Sequence, residues 1–196
     1  MPSYRGTHGT TRTRAENISK EGFTAKVGER GTGAYFWREN VYAVPLAVGW
    51  YQNQLNRGEY GTDRDKRCSV VKASINVASD TLIDLEDPDI KDDFLRYFLE
   101  KGVEDSRNAG KIYDMFLEML EEESGKKLAL VITQVFTNKW QKYPNQTAGM
   151  AYCYLVRDLR CITVDDVVHY DEGLKLCGTV NLSKNAQKMY SENYLQ

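Results

Sequence analysis

The residues with the richest chemistry lie near the start of the chain. They read Tyr4-Arg5-Gly6-Thr7-His8-Gly9-Thr10, then Gly22-Phe23, then Gly28, Gly31 and Gly33 ahead of Ala34-Tyr35-Phe36-Trp37. Glycines at a strand end let a flat ligand approach the backbone, whose N–H and C=O then bind it. These glycines match neither phosphate fingerprint, since no Gly-Lys-Ser/Thr follows them and no strand–GxGxxG–helix unit contains them. Taken singly, each reads as a turn. A second stretch, residues 138–146, interleaves Lys139 and Lys142 with Trp140 and Tyr143. That composition suits phosphate contact with base stacking, or an ordinary exposed loop. Cys68, Cys153, Cys161 and Cys177 show no CxxC spacing, and His8 and His169 are the only histidines. No structural zinc site is expected, and a reduced, cytoplasmic compartment is the simple expectation.

Taken in order, the N-terminal elements resemble the NAD-binding core of the ADP-ribosyltransferases, in the branch of diphtheria toxin and the poly-ADP-ribose polymerases. The resemblance rests on His8-Gly9-Thr10 at a strand end, Ile18 in a helix, Gly22-Phe23, the glycine loop and Gly33-Ala34-Tyr35-Phe36. Val70 to Val77 and Leu82-Ile83-Asp84-Leu85 continue it. It covers residues 3–85 and, loosely, 150–170.

The resemblance implies NAD as co-substrate, without a metal, and a role for each residue. His8 would hydrogen-bond a ribose hydroxyl on the adenosine side, with Thr10 beside it. The Gly9 backbone would grip the nicotinamide carboxamide, where a side chain would clash. Tyr35 would stack on the nicotinamide ring, with Trp50 or Tyr51 closing the other face. Arg5 competes with His8, because Tyr4-Arg5-Gly6 matches the opening of the arginine-type branch. That branch also needs a Ser-Thr-Ser strand, which Ala34-Tyr35-Phe36-Trp37 is not. The third motif departs from the pattern. Cys153-Tyr154-Leu155-Val156-Arg157-Asp158 has its frame, but Cys153 stands where the family has a glutamate. Cys153 itself, Gln146, Glu39 or a group of the substrate is left to supply that function. Lys139, Trp140, Lys142 and Tyr143 fall where the family meets its acceptor.

The elements that must position these residues are read from caps and periodicity. Residues 3–7 form a strand, and Thr13 with Glu16 reads as a capping box for a helix ending at Gly22. Residues 34–37 form a strand, and Pro45 suits the first turn of a helix running to Leu55. Residues 67–78 alternate as a strand. Asp87-Pro88 starts a helix presenting Ile90, Phe94, Tyr97 and Phe98. A second helix puts Ile112, Met115, Phe116, Met119 and Leu120 on one face and stops at Gly125. Strands are expected at residues 128–136, 150–157, 161–169 and 174–182, with a polar helix after Ser183. Together these give an α+β fold in one domain spanning residues 1–196, with a mixed or antiparallel sheet of ADP-ribosyltransferase type and an acidic helical insertion.

Charge is uneven along the chain. Residues 76–125 carry 15 acidic and 5 basic side chains, between two segments of net positive charge, and the whole chain is −2. That near-neutrality argues against a polyelectrolyte partner of histone type. No apolar run approaches the ~18 residues of a membrane span, and the start of the chain lacks a signal-peptide pattern. The expected function is mono-ADP-ribosylation of a nucleic-acid base or a protein side chain by a toxin-like effector. The alternative is an inactive binding module of the same fold. The acidic block either is a solvated face or docks a basic antitoxin or target through Glu121, Glu122 and Glu123.

Overall fold

Thr11 decides how the chain leaves its first strand. Its hydroxyl oxygen accepts the N–H of Arg14 and caps α1 (Arg12–Glu21), while the same hydroxyl donates to Asp63 at 2.6 Å. The helix therefore starts two residues before the expected capping box at Thr13, and β1 (Ser3–Thr11) is correspondingly longer. At the other end Gly22, at φ 82°, returns its N–H to the carbonyl of Ile18. The computed structural model describes residues 1–101, 109–137 and 150–170. The expected strand over 174–182, the terminal helix, and Gln146, Lys139, Trp140, Lys142 and Tyr143 lie outside them.

The stretch of Gly28, Gly31 and Gly33 is a hairpin rather than a loop. Its short strand β2 (Lys26–Gly28) turns through Glu29 and Arg30 into β3 (Gly31–Arg38). Then follow α2 (Ala43–Asn56), β4 (Cys68–Asn76), β5 (Leu82–Asp84), α3 (Pro88–Glu100), α4 (Ala109–Ser124), β6 (Leu130–Phe136), β7 (Met150–Val156) and β8 (Ile162–His169). The strands form one open sheet in the order β5-β6-β7-β3-β1-β4-β8, with β2 paired to β3. Among the described strands only β5–β6 is parallel. The fold is thus mixed α/β with a mostly antiparallel sheet and, among the described residues, four helices.

Alternation along the strands divides the core in two. On one face, Ala34, Phe36, Tyr154 and Val156 share a cluster with Ala73, Ile75 and Val77 from the other half of the sheet. Tyr4 meets Tyr154 edge-on at 5.6 Å across the intervening strand. The sheet therefore bends until this face closes on itself. On the opposite face α2 covers Trp37, Val70 and Cys153, and α3 with α4 covers Val131 and Leu155 through Phe94, Phe116 and Leu117. Met115, expected on that inner face, stays largely exposed.

The acidic helices do not carry all their charge outward. Glu121 is buried, with its side chain 4% exposed, and accepts hydrogen bonds from Lys127 at 2.7 Å and the Leu128 N–H at 3.0 Å. The Arg157 guanidinium lies 3.3 Å away. Burial opposes ionisation of Glu121, but these three partners outweigh it and hold the carboxyl below its ordinary range. Docking by an acidic face would thus rest on the exposed Glu122 and Glu123. Among the described residues no helix is long and apolar enough to cross a membrane.

Candidate functional site

Two strands that pair and then part create the site. Between β1 and β3 the ladder runs through Gly6–Arg38 and Thr7–Trp37, and the Arg5 carbonyl accepts the Glu39 N–H. Alternate residues of a strand turn their peptide groups to the same side, so Gly9 continues the row of Arg5 and Thr7. Its partner in register would be Tyr35, but the ladder stops after Thr7–Trp37. Beyond the gap the same edge of β3 is taken by β2, at Gly31–Gly33. A notch in the sheet is left, edged by the peptide groups of Gly9 and Tyr35.

His8 spans this notch. Its Nδ1 lies 2.9 Å from the Tyr35 carbonyl oxygen. A carbonyl only accepts, so Nδ1 carries the proton, and in the neutral ring Nε2 keeps its lone pair for a donor such as a hydroxyl. Phe23 and Phe36 flank the ring at 5.4 and 5.9 Å. Burial lowers the His8 pKa, partly opposed by the bond to Tyr35, so the neutral form is favoured. Thr10, buried on the same side of β1, hydrogen-bonds Tyr60.

Gly9 is glycine for a reason other than the one expected from sequence. A Cβ there would come within 1.8 Å of the Ala47 carbonyl oxygen, so α2 lies directly on β1 at this point. The helix is fixed next to it by the Thr7 hydroxyl, which donates to the Ala43 carbonyl at 2.9 Å. The space beside Gly9 thus belongs to the helix, and only its in-plane N–H and C=O face the notch.

Tyr35 reaches from the notch back over the hairpin. Its hydroxyl donates to the Gly31 carbonyl at 2.6 Å and accepts the Arg30 N–H at 3.1 Å, and its ring covers Gly28. Burial raises its pKa, so the phenol is neutral. Trp50 is half-buried against the same cluster that Tyr35 borders. Tyr51 points elsewhere: it is buried, donates to the Lys66 carbonyl and stacks on Tyr60 at 5.6 Å.

Cys153 sits under α2, buried, across from Trp37 and diagonal to Tyr35. Desolvation pushes its thiol up to about 12, which favours the neutral thiol. Arg5 is separated from this group. Its side chain is exposed, pairs with Glu39 at 3.5 Å, and lines an open groove with Lys72, Asp165 and Asp166. Alternation puts it on the opposite face of β1 from His8. The notch therefore gathers His8, Gly9 and the Tyr35 peptide, while Trp50 and Cys153 belong to the cluster under α2 that Tyr35 borders. It leaves Arg5, Glu39 and Tyr51 aside.

Sequence reasoning missed a polar group bordering Tyr35 and Cys153. Arg30 lies over the Tyr113 ring at 5.1 Å and donates to the Gln134 carbonyl. Glu86 accepts the Gln134 N–H at 2.8 Å and pairs with Lys91 at 2.8 Å. Burial opposes ionisation of Glu86, yet these bonds hold its pKa below the ordinary value. The group draws on a turn, a helix, a strand and a loop far apart in sequence, so no local pattern announces it. A scan against protein-family models matches none, and searches of curated proteins and of solved structures match none either.

Proposed function

We propose that the chain is a mono-ADP-ribosyltransferase that cleaves NAD, releases nicotinamide and attaches ADP-ribose to a macromolecule. The notch supports this. Side by side, the Gly9 N–H and C=O offer one donor and one acceptor, the complement of a primary carboxamide. The Tyr35 peptide edges the same opening, with its ring on the other face of the sheet over the hairpin, and Nε2 of His8 is an acceptor for a ribose hydroxyl. In the reaction the bond from the ribose carbon to the nicotinamide nitrogen breaks and its electron pair leaves with nicotinamide. The acceptor's nucleophile bonds to that carbon and gives up a proton. The chain's part is to hold the leaving group and the ribose in line, so positioning carries much of the rate. Lys139, Trp140, Lys142 and Tyr143 are assigned to the acceptor on sequence grounds.

Cys153 favours a second reading, in which the fold binds NAD without turning it over. A neutral thiol gives no negative charge to the positive ribose carbon of the transition state. Incubation of the protein with labelled NAD and cell lysate separates the two. A transferase releases nicotinamide and labels material sensitive to protease or nuclease, and His8→Ala abolishes both. NAD bound without nicotinamide release selects the binding module, and no NAD binding at all overturns both readings. As a toxin-like effector the protein would meet an inhibitor, for which Glu122 and Glu123 offer an exposed acidic face.

A further inference from the structure

We infer that the exposed end of the β6–β7 pair, beyond the core cluster of that face, binds single-stranded nucleic acid, and that the acceptor docks there; the second clause rests on the ADP-ribosyltransferase reading, the first does not. Gln134 pairs with Tyr152 and Phe136 with Met150, so Phe136 and Tyr152 are diagonal neighbours on one face. Phe136 is 62% and Tyr152 37% exposed. Further along the same face, Tyr154 and Phe36 are buried, so the strands pass from core to an uncovered aromatic platform. The Arg38 guanidinium lies 5.4 Å from the Tyr152 ring centroid. Among the described residues it forms no ion pair with a carboxylate.

Two adjacent exposed rings with a guanidinium that no described carboxylate pairs match bases stacked in succession along a phosphate backbone. Every base has a flat face, so such a platform needs no sequence-specific groove. A folded protein partner is a poorer match, because a stable interface buries about 800 Å² on each side and two rings with one arginine offer much less.

Anisotropy of short labelled single-stranded RNA and DNA tests this with the full chain. Tyr152→Ala and Phe136→Ala should each weaken binding about tenfold. Arg38→Gln should lower the slope of log affinity against log salt by about 0.7. All three sites are exposed, so melting temperatures should hold, and NAD titration without acceptor should not change. The inference is overturned if the wild-type chain binds neither strand at low salt, or if the three variants bind as it does. It is also overturned if the label from NAD enters protein equally with wild type and variants. Expected losses on oligonucleotides together with no NAD binding would leave this surface standing and remove the transferase reading.

Discussion

The start and the middle of one strand, β3, are treated in opposite ways. At its start it is tied down by side chains: Thr32 gives both its N–H and its hydroxyl to Asp114 at 2.7 Å, and Tyr35 is bonded to Gly31 and Arg30. A Cβ on Gly110 would lie 2.0 Å from the Gly28 carbonyl oxygen, so α4 rests directly on the hairpin. At Tyr35 itself the ladder opens, and Gly9 opposite pairs with Val70 on its other side but with nothing on the β3 side. An unpaired edge left to itself closes or recruits another chain. This one is held open because α2 fixes β1, and α4 fixes the hairpin. The stability of the joint is what makes the notch a stable shape for a ligand.

The largest expected effects come from filling the two contacts that hold the halves apart. Gly9→Ala and Gly110→Ala each press a methyl group into backbone, and each should cost about 3 kcal/mol in urea unfolding. Their consequences for NAD should differ. Gly9→Ala displaces the peptide groups of the notch and should abolish binding, whereas Gly110→Ala should retain it at temperatures well below its lowered melting point. Equal loss of NAD binding in both would mean that hairpin and notch are one unit rather than two.

Tyr35 belongs to both regions, and two substitutions separate its parts. Tyr35→Ala removes the ring and should weaken NAD binding by ~1–3 kcal/mol, by analogy with base stacking on aromatics. Tyr35→Phe keeps the ring and deletes the hydroxyl that ties the hairpin, which should cost about 1 kcal/mol of stability with NAD affinity unchanged. NAD titration and thermal unfolding of the pair read out the two terms. An unchanged affinity in Tyr35→Ala would remove the ring from the ligand site.

Much of the frame is legible because its signals are local. Gly22, Asp87-Pro88 and Gly125 end or begin helices where caps require them, and the apolar spacing of α3 and α4 points their inner faces to the sheet. β2 escapes because Lys26, Val27 and Gly28 show no burial pattern and become a strand only through pairing with Gly31–Gly33. Glu121 looks like its neighbours Glu122 and Glu123, and it is set apart by Arg157, just past the end of β7. In the site, His8, Gly9 and Tyr35 are readable as a motif. The gap between their strands is not, since it depends on which partner occupies the edge of β3. Arg30, Glu86 and Tyr113 join it from distant elements and leave no trace in spacing.

The smallest effect concerns the proton on His8, since the ring is only half-buried and one nitrogen is already held. Its folded pKa lies below the ordinary 6.5 because burial penalises the imidazolium. Above that pH both the folded and unfolded chains hold a neutral ring, and this group adds no pH dependence. As pH falls below 6.5 the unfolded chain takes up a proton that the folded chain resists, so stability declines with acidification. The carboxylates Glu86 and Glu121, whose pKa values are lowered from an ordinary 4.5, begin to act only at lower pH. His8→Gln should therefore flatten the stability profile between pH 6.5 and about 5, while the decline at lower pH persists in both proteins. Parallel loss in wild type and variant across the upper window would show that the notch does not hold His8 neutral. Its Nε2 would then have no special standing as an acceptor for a ribose hydroxyl.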